Sequence, residues 1–421
     1  MPHRRAGGHA EPDLLRRLGT LVLLLATGIA AIAAMPHLRH RTQAPPVEAG
    51  AYQREWRRLA QGVRQAELAD DTPRYAQLRY RQLMLSGDTR GLAELAEHLR
   101  RRHADDDLLA LRIDLALHRT TGALNRLAPL DDGSTEPALL RAQILLQLGE
   151  EATAESLFRD VLARERRWEA LAGLAAIETA RGDNAAADRH YAQAADELDV
   201  RQMRTYCWVL LQRGWLRLRQ GQTEAAITFY ALAESAYDGY WLVDDHMAEA
   251  LAAAGRYDEA VARYRISIDR ASRPESWQAL GELYHHRGDA ASATPWLTRA
   301  RDAYEQSVAR GETHYLHHLA SLYADAQPDP PRAVELARRD FAQRPTRGTR
   351  DALAWALYRD GQFAAAHAVM VPLVAQGSGD AEVYLHAGLI HLAAGHADLA
   401  RGALERASTL NPNPGRFHVH R

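Results

Sequence analysis

The chain has 421 residues, a formal charge of −2 and a 47% share of hydrophobic residues that includes only five Phe. Such a balance leaves no basic surplus to hold a nucleic-acid backbone. All 52 basic residues are Arg, which excludes a phosphate-loop lysine, a Schiff-base lysine and a Ser–Lys dyad; the lone Cys207 excludes an internal disulfide and a thiolate metal cage.

Residues 18–35 carry no charge. As a helix they would be about 27 Å long, close to the roughly 30 Å hydrocarbon core of a bilayer. Arg4, Arg5, Arg16 and Arg17 precede this run, and only Arg39 and Arg41 follow closely. That asymmetry places residues 1–17 in the cytoplasm, makes 18–35 a transmembrane signal anchor in the inner membrane, and sends the rest to the periplasm. The small pair Ala31 and Ala33 could instead mark a cleaved signal peptide, but the apolar run is long for one. With reversed topology the chain would be a membrane-tethered cytoplasmic adaptor. Residues 36–50, with Pro36, Pro45 and Pro46, have the composition of a tether.

From 51 to 134 the pattern is helical but irregular. Trp56, Leu59 and Val63 share one face; Leu78, Leu83 and Leu85 form a second run ending at Gly87; Leu92, Leu95, Ala96 and Leu99 form a third. Leu108 to Leu117 follows the opposed charge blocks Arg100–Arg102 and Asp105–Asp107, which read as a solvated helix end and loop. The spacing predicts two degenerate hairpins capping an array.

From 135 to 414 the chain is periodic. Gly149, Gly182, Gly221, Gly255, Gly288, Gly361 and Gly395 recur at intervals of about 34 residues, and the one double gap hides a unit from Thr313 to Pro345 turned by Gln327-Pro328-Asp329-Pro330-Pro331. Five residues after each glycine stands Ala154, Ala187, Ala226, Ala260, Ala293, Ala366 or Ala400. Gly214, Gly281 and Gly388 precede a turn glycine by one fixed interval, and Phe158, Tyr191, Tyr230 and Tyr264 follow one by another. The fullest instance runs from Trp277 through Leu280, Gly281 and Tyr284 to Gly288, Ala293 and Ala300. This order of residues resembles the tetratricopeptide repeat, and the resemblance covers roughly two-thirds of the chain. It implies an all-α solenoid, a right-handed superhelix of about eight helix–turn–helix units, here following the N-terminal transmembrane helix, with residues 415–421 as a short tail. Two departures stand out: Arg213 and Arg217 occupy apolar positions, and the longer Gly182–Gly221 interval predicts extra helix near Glu197–Thr205.

The resemblance also implies a function. In the family, fixed positions of each first helix line a concave groove that holds an extended peptide or a helix of another protein. Carried onto this chain, they give Trp208 and Trp215, then Asp245 and Glu249, then Gln278, Glu282 and His285. His314 and His317 come next, and Trp355 and Tyr358 last. That order of aromatic, acidic and imidazole groups suits a basic or amphipathic partner segment held by Trp anchors, with inter-repeat core as the competing role of Trp208 and Trp215.

The 20 His residues raise a second reading, a periplasmic metal-handling protein using His314, His317 and His318, although no His-Glu-x-x-His arrangement supports it. No nucleophile elbow, phosphate loop or Cys–His pair is present, so no catalytic residue, metal site or cofactor is predicted. The expectation is a protein-binding scaffold or assembly factor of a bacterial cell envelope. After Pro412 too few residues remain for a capping helix. The last repeat, through Leu389, Leu392 and Leu404, is therefore expected to dock on a partner or a second copy.

Overall fold

Single glycines cut this chain into helices, and small residues let those helices pair. The computed structural model describes residues 50–102, 106–413 and 416–417. The apolar segment 18–35 and its flanks 1–17 and 36–49 lie outside these; among the described residues no helix is long and apolar enough to cross a membrane. All described residues fall in one unit, Ala49–Arg421, containing 21 α-helices and no strand. Five helices come first: α1 (Ala51–Leu68), α2 (Thr72–Ser86), α3 (Thr89–Arg101), α4 (Asp107–Ala116) and α5 (Thr120–Leu127). That is one helix more than two hairpins need. Then α6 (Thr135–Gln147) pairs with α7 (Glu151–Arg164), α8 (Trp168–Arg181) with α9 (Asn184–Asp196), and α10 (Met203–Arg219) with α11 (Thr223–Ala236). The series continues with α12 (Trp241–Ala253) and α13 (Tyr257–Arg270), then α14 (Pro274–His286) and α15 (Ala290–Ala309). It ends with α16 (Leu316–Ala324) and α17 (Pro330–Gln343), α18 (Arg347–Arg359) and α19 (Phe363–Gln376), and α20 (Ala381–Ala393) and α21 (Ala397–Leu410).

The repeated alanines sit where second helices cross first ones, and each is at most 3% exposed. Gly214 shows why the first helix needs a small residue: a Cβ there would lie 2.2 Å from the Tyr230 ring. Asp183, Asp289 and Asp329 start second helices by accepting from the backbone N–H groups of Ala186, Ser292 and Arg332, which satisfies otherwise orphaned donors. The Pro-rich turn at 327–331 works the same way, with Pro330 at the first position of α17.

Both sequence departures acquire reasons. Arg213 Nε and Arg217 Nη2 reach Asp188 of the preceding hairpin at 2.8 and 2.7 Å, so these guanidiniums tie two repeats together where apolar side chains would otherwise pack. The extra residues between Gly182 and Gly221 form the loop 197–202, and only α10, at 17 residues, is lengthened; the helix expected from Glu197 starts at Met203.

The hairpins wind so tightly that successive coils touch. Ala51 N–H donates to Asp238 Oδ1 at 2.6 Å, 187 positions away. Arg347 grips Glu151 through two bonds of 2.7 and 3.2 Å across 196 positions. Gly379 N–H donates to Ala180 O at 3.0 Å, and Arg219 meets Asp380 at 2.9 Å. In the last three cases a turn inside a hairpin of the first coil abuts a loop between hairpins of the second, and in the first case the start of α1 meets such a loop. Gly182, in the left-handed region at φ 88°, lies against the Gly379 backbone. At Gly255, Gly288, Gly361 and Gly395, in the second coil, no described atom would touch an added Cβ.

Candidate partner-binding surface

Contact between coils redraws the expected groove. Helix α12 is buried on nearly every side, including Asp244, Asp245, His246 and Glu249. Asp244, 1% exposed, is gripped by Arg270 and by Arg263, the latter at 2.9 Å; burial pushes its carboxyl up and the two guanidiniums oppose that. Asp245 accepts from Ser276 Oγ at 2.9 Å. Gln278 accepts from Tyr304 OH at 3.0 Å and donates to Glu282 at 2.7 Å. The first coil fills the hollow in front of these helices: Trp241 Nε1 donates to Leu85 O at 3.0 Å, and Thr89 Oγ1 lies 3.1 Å from Tyr315 OH. Asp245, Gln278 and His314 are therefore interior groups with protein partners around them, not walls of an open channel.

The imidazoles predicted for the groove or for a metal diverge. His314 packs on Tyr315 at 4.1 Å, and burial pulls its pKa down to about 4. His318 stacks on Tyr304 at 5.7 Å and is held well below its ordinary value by burial, with His317 adding to the effect. His317 instead turns toward Asp340, at 3.6 Å. Burial alone would raise the Asp340 carboxyl, but His317 and Arg344 bring it below the usual range. Among the described residues no cluster of three or more His, Cys or carboxylate groups is placed to hold a metal ion. Cys207 is buried, and burial pushes its thiol up to about 12, so no thiolate forms there near neutral pH. His285 lies exposed at the end of α14.

The aromatic positions separate. Trp208 packs edge-on against Trp168 at 6.2 Å within the inter-repeat core. Trp215 carries Arg219 over its face at 4.5 Å and, with Glu249, lines a cleft of about 140 Å³ between the coils. Asp380 and Glu382 of the second coil, with Arg416 and Phe417 of the C-terminal tail, complete its walls. From the cleft, polar contacts lead outward. Glu382 lies 3.6 Å from His386, whose other ring nitrogen sits 2.9 Å from Asp351. His386 stacks flat on Trp355 at 4.1 Å, and Trp355 on Tyr358 at 5.0 Å. Asp325 fixes the indole by accepting from Nε1 at 2.8 Å.

A strip thus runs from Trp215 through Glu249, Glu382 and His386 to Trp355 and Tyr358. Four of its six members come from the sequence reading; Glu382 and His386 do not. Applying the same helix-position rule one repeat further, to α20, selects Glu382. Nothing local marks Arg219, Asp380 or Arg416, which reach the cleft only because the coils touch. The cleft is well below the roughly 300–1,000 Å³ of small-molecule sites, a size that suits one inserted side chain. Its three carboxylates outnumber its two guanidiniums, so a cationic or amphipathic insert fits better than an acidic one.

The family model for the tetratricopeptide repeat matches residues 247–308 and 352–413. Among solved structures the chain is similar to the APC/C hetero-tetramer Cut9–Hcn1, at 14% identity over 85% of this chain and 94% of that one, with a TM-score of 0.36. It is also similar to yeast Tom70, at 10% identity over 85% and 92%, with a TM-score of 0.37. A third similar structure is a tetratricopeptide repeat protein from Parabacteroides merdae ATCC 43184, at 18% identity over 58% and 93%, with a TM-score of 0.35. No curated protein matches the chain.

Proposed function

We propose that this chain, which carries tetratricopeptide repeats, is an envelope scaffold that grips one partner polypeptide along the strip from Trp215 to Tyr358. The observation behind this reading is the join between cleft and aromatic ledge: Glu382 borders the cleft and contacts His386, which lies under Trp355. A partner side chain, cationic at its tip, enters beside Glu249 and Glu382. The backbone that carries it then crosses the stacked faces of Trp355 and Tyr358. Half-buried aromatic rings make good anchors because they offer large area at small entropic cost. The partner is a segment of a larger envelope protein, and residues 18–35 hold the scaffold in the inner membrane with its repeats in the periplasm. The charge asymmetry around that segment supports this topology.

Site-specific photocrosslinking in intact cells tests the site. A photoreactive residue at Tyr358 should give a discrete adduct, whereas one at Leu232, 51% exposed on α11, should not. Glu382→Arg should remove the Tyr358 adduct. Equal labelling from both positions, or an adduct indifferent to Glu382→Arg, refutes the assignment. A reporter fused after Arg421 tests topology separately; activity in the cytoplasm rejects the periplasmic placement.

A further inference from the structure

We infer that the two open edges of the coil fit each other, so that a second copy of this chain stacks head to tail on the first. The argument starts from the seam inside the molecule. Three glycine turns inside hairpins meet loops between hairpins about one coil later, Gly149 at Pro345, Gly182 at Gly379 and Gly221 at Asn411, and Gly50, just before α1, meets Asp238 in the same way. The second coil presents five more such turns, near residues 255, 288, 327, 361 and 395. The first coil presents five loops of the other kind, near 70, 102, 132, 166 and 200. In chain order they pair one to one, so a second copy following the first continues the seam without a change of register.

The exposed apolar residues agree with this pairing. Val200, 86% exposed, stands on the last open loop, while Leu392 and Leu399, 58% and 52% exposed, flank the Gly395 turn it would meet. Val200 and Gly395 are separated in numbering by nearly the 196 positions that separate Glu151 from Arg347. Neighbouring charges also match, Arg201 beside Asp398 and Arg166 beside Asp360. Two positions oppose the fit, where Asp132 would meet Asp329 and Arg102 would meet Arg287. The described residues of the C-terminal tail lie elsewhere: Phe417 packs on His286 at 5.5 Å, and Arg416 donates to Ala253 O at 3.4 Å. Because the two edges differ, the contact is heterologous and does not close on itself; copies add in a row.

Cysteine crosslinking of the full chain in its native membrane tests this, since Cys207 is buried and inert. The double variant Val200→Cys/Leu399→Cys should give a ladder of dimers, trimers and longer species under mild oxidation. Each single variant should stay monomeric, and an equal mixture of the two should give dimers and nothing longer. A monomeric double variant overturns the inference. Dimers from Val200→Cys alone also overturn it, because they would mean a two-fold contact. Both substitutions are on exposed side chains that do not line the cleft, so loss of stacking and loss of insertion beside Glu382 are read independently.

Discussion

If the coils are locked together, Gly379→Ala should spring them apart. An added Cβ at this position would lie 2.3 Å from Thr179 O and 2.7 Å from the Gly182 Cα, both backbone atoms of the preceding coil. Neither can rotate away as a side chain could, so the loop must withdraw. Withdrawal loses the bond from Gly379 N–H to Ala180 O, a net contribution of about 0.5–1.5 kcal/mol. Relieving the overlap costs a further 1–3 kcal/mol or so, by analogy with overpacked cores. Together these predict a loss of about 1.5–4.5 kcal/mol concentrated at the seam. Denaturant titration measures the loss, and hydrogen exchange should locate it in residues 179–183 and 377–380. Small-angle scattering should show the particle lengthen. Gly402→Ala is the control: it is helical, nothing lies within 4 Å of its added Cβ, and replacing Gly in a helix gains up to about 1 kcal/mol. If Gly379→Ala matched wild type to within about 0.5 kcal/mol, an error expected for surface changes, the touching coils would be refuted.

Reversing the seam pair with Arg347→Glu should cost roughly 2–3 kcal/mol, in the range for charge-assisted bonds, and adding Glu151→Arg should recover about half by double-mutant cycle. Recovery falls short because Glu151 also faces Arg181 at 3.5 Å. Gly214→Ala gains helix propensity of about 1 kcal/mol but forces the Tyr230 ring aside, so calorimetry should show net destabilisation of up to about 2 kcal/mol. The His314 pKa of about 4 lies below its ordinary value of 6.5. Its neutral burial therefore stabilises fully above about pH 6.5, and that share is lost as pH falls toward 4, because the unfolded chain gains the proton first. His314→Gln should flatten the fall in denaturant midpoint between pH 7 and 4.5; an unchanged slope contradicts this.

The repeat itself was legible because its constraints are local. Ala154 and its equivalents, Gly214 opposite Tyr230, and the Pro-rich substitute turn all act within one hairpin. The lengthened Gly182–Gly221 interval announced extra residues but could not decide between helix and loop, since Asp199 and Val200 carry no helical stripe. The burial of several groove candidates was not legible. Assigning Asp245, Gln278 and His314 to a concave face was sound for one hairpin, yet small rotations accumulate along the array until Leu85 and Thr89 arrive in front of that face. No pattern within 34 residues encodes where a residue some 190 positions away will lie. Trp215 stays half-buried, and Glu249, though buried, borders the cleft beside the C-terminal tail.

The seam also sets a schedule for synthesis. As the chain leaves the ribosome, the turns at Gly149, Gly182 and Gly221 emerge long before the loops that cover them, since Glu151 must wait 196 positions for Arg347. At translation speeds of about 5–20 residues per second that delay is roughly 10–40 s. Throughout it the nascent first coil offers the same bare edge that the finished protein keeps only on its last coil, and a neighbouring nascent chain can occupy it. Shielding of that edge within the interval then bears directly on whether the chain reaches its correct winding.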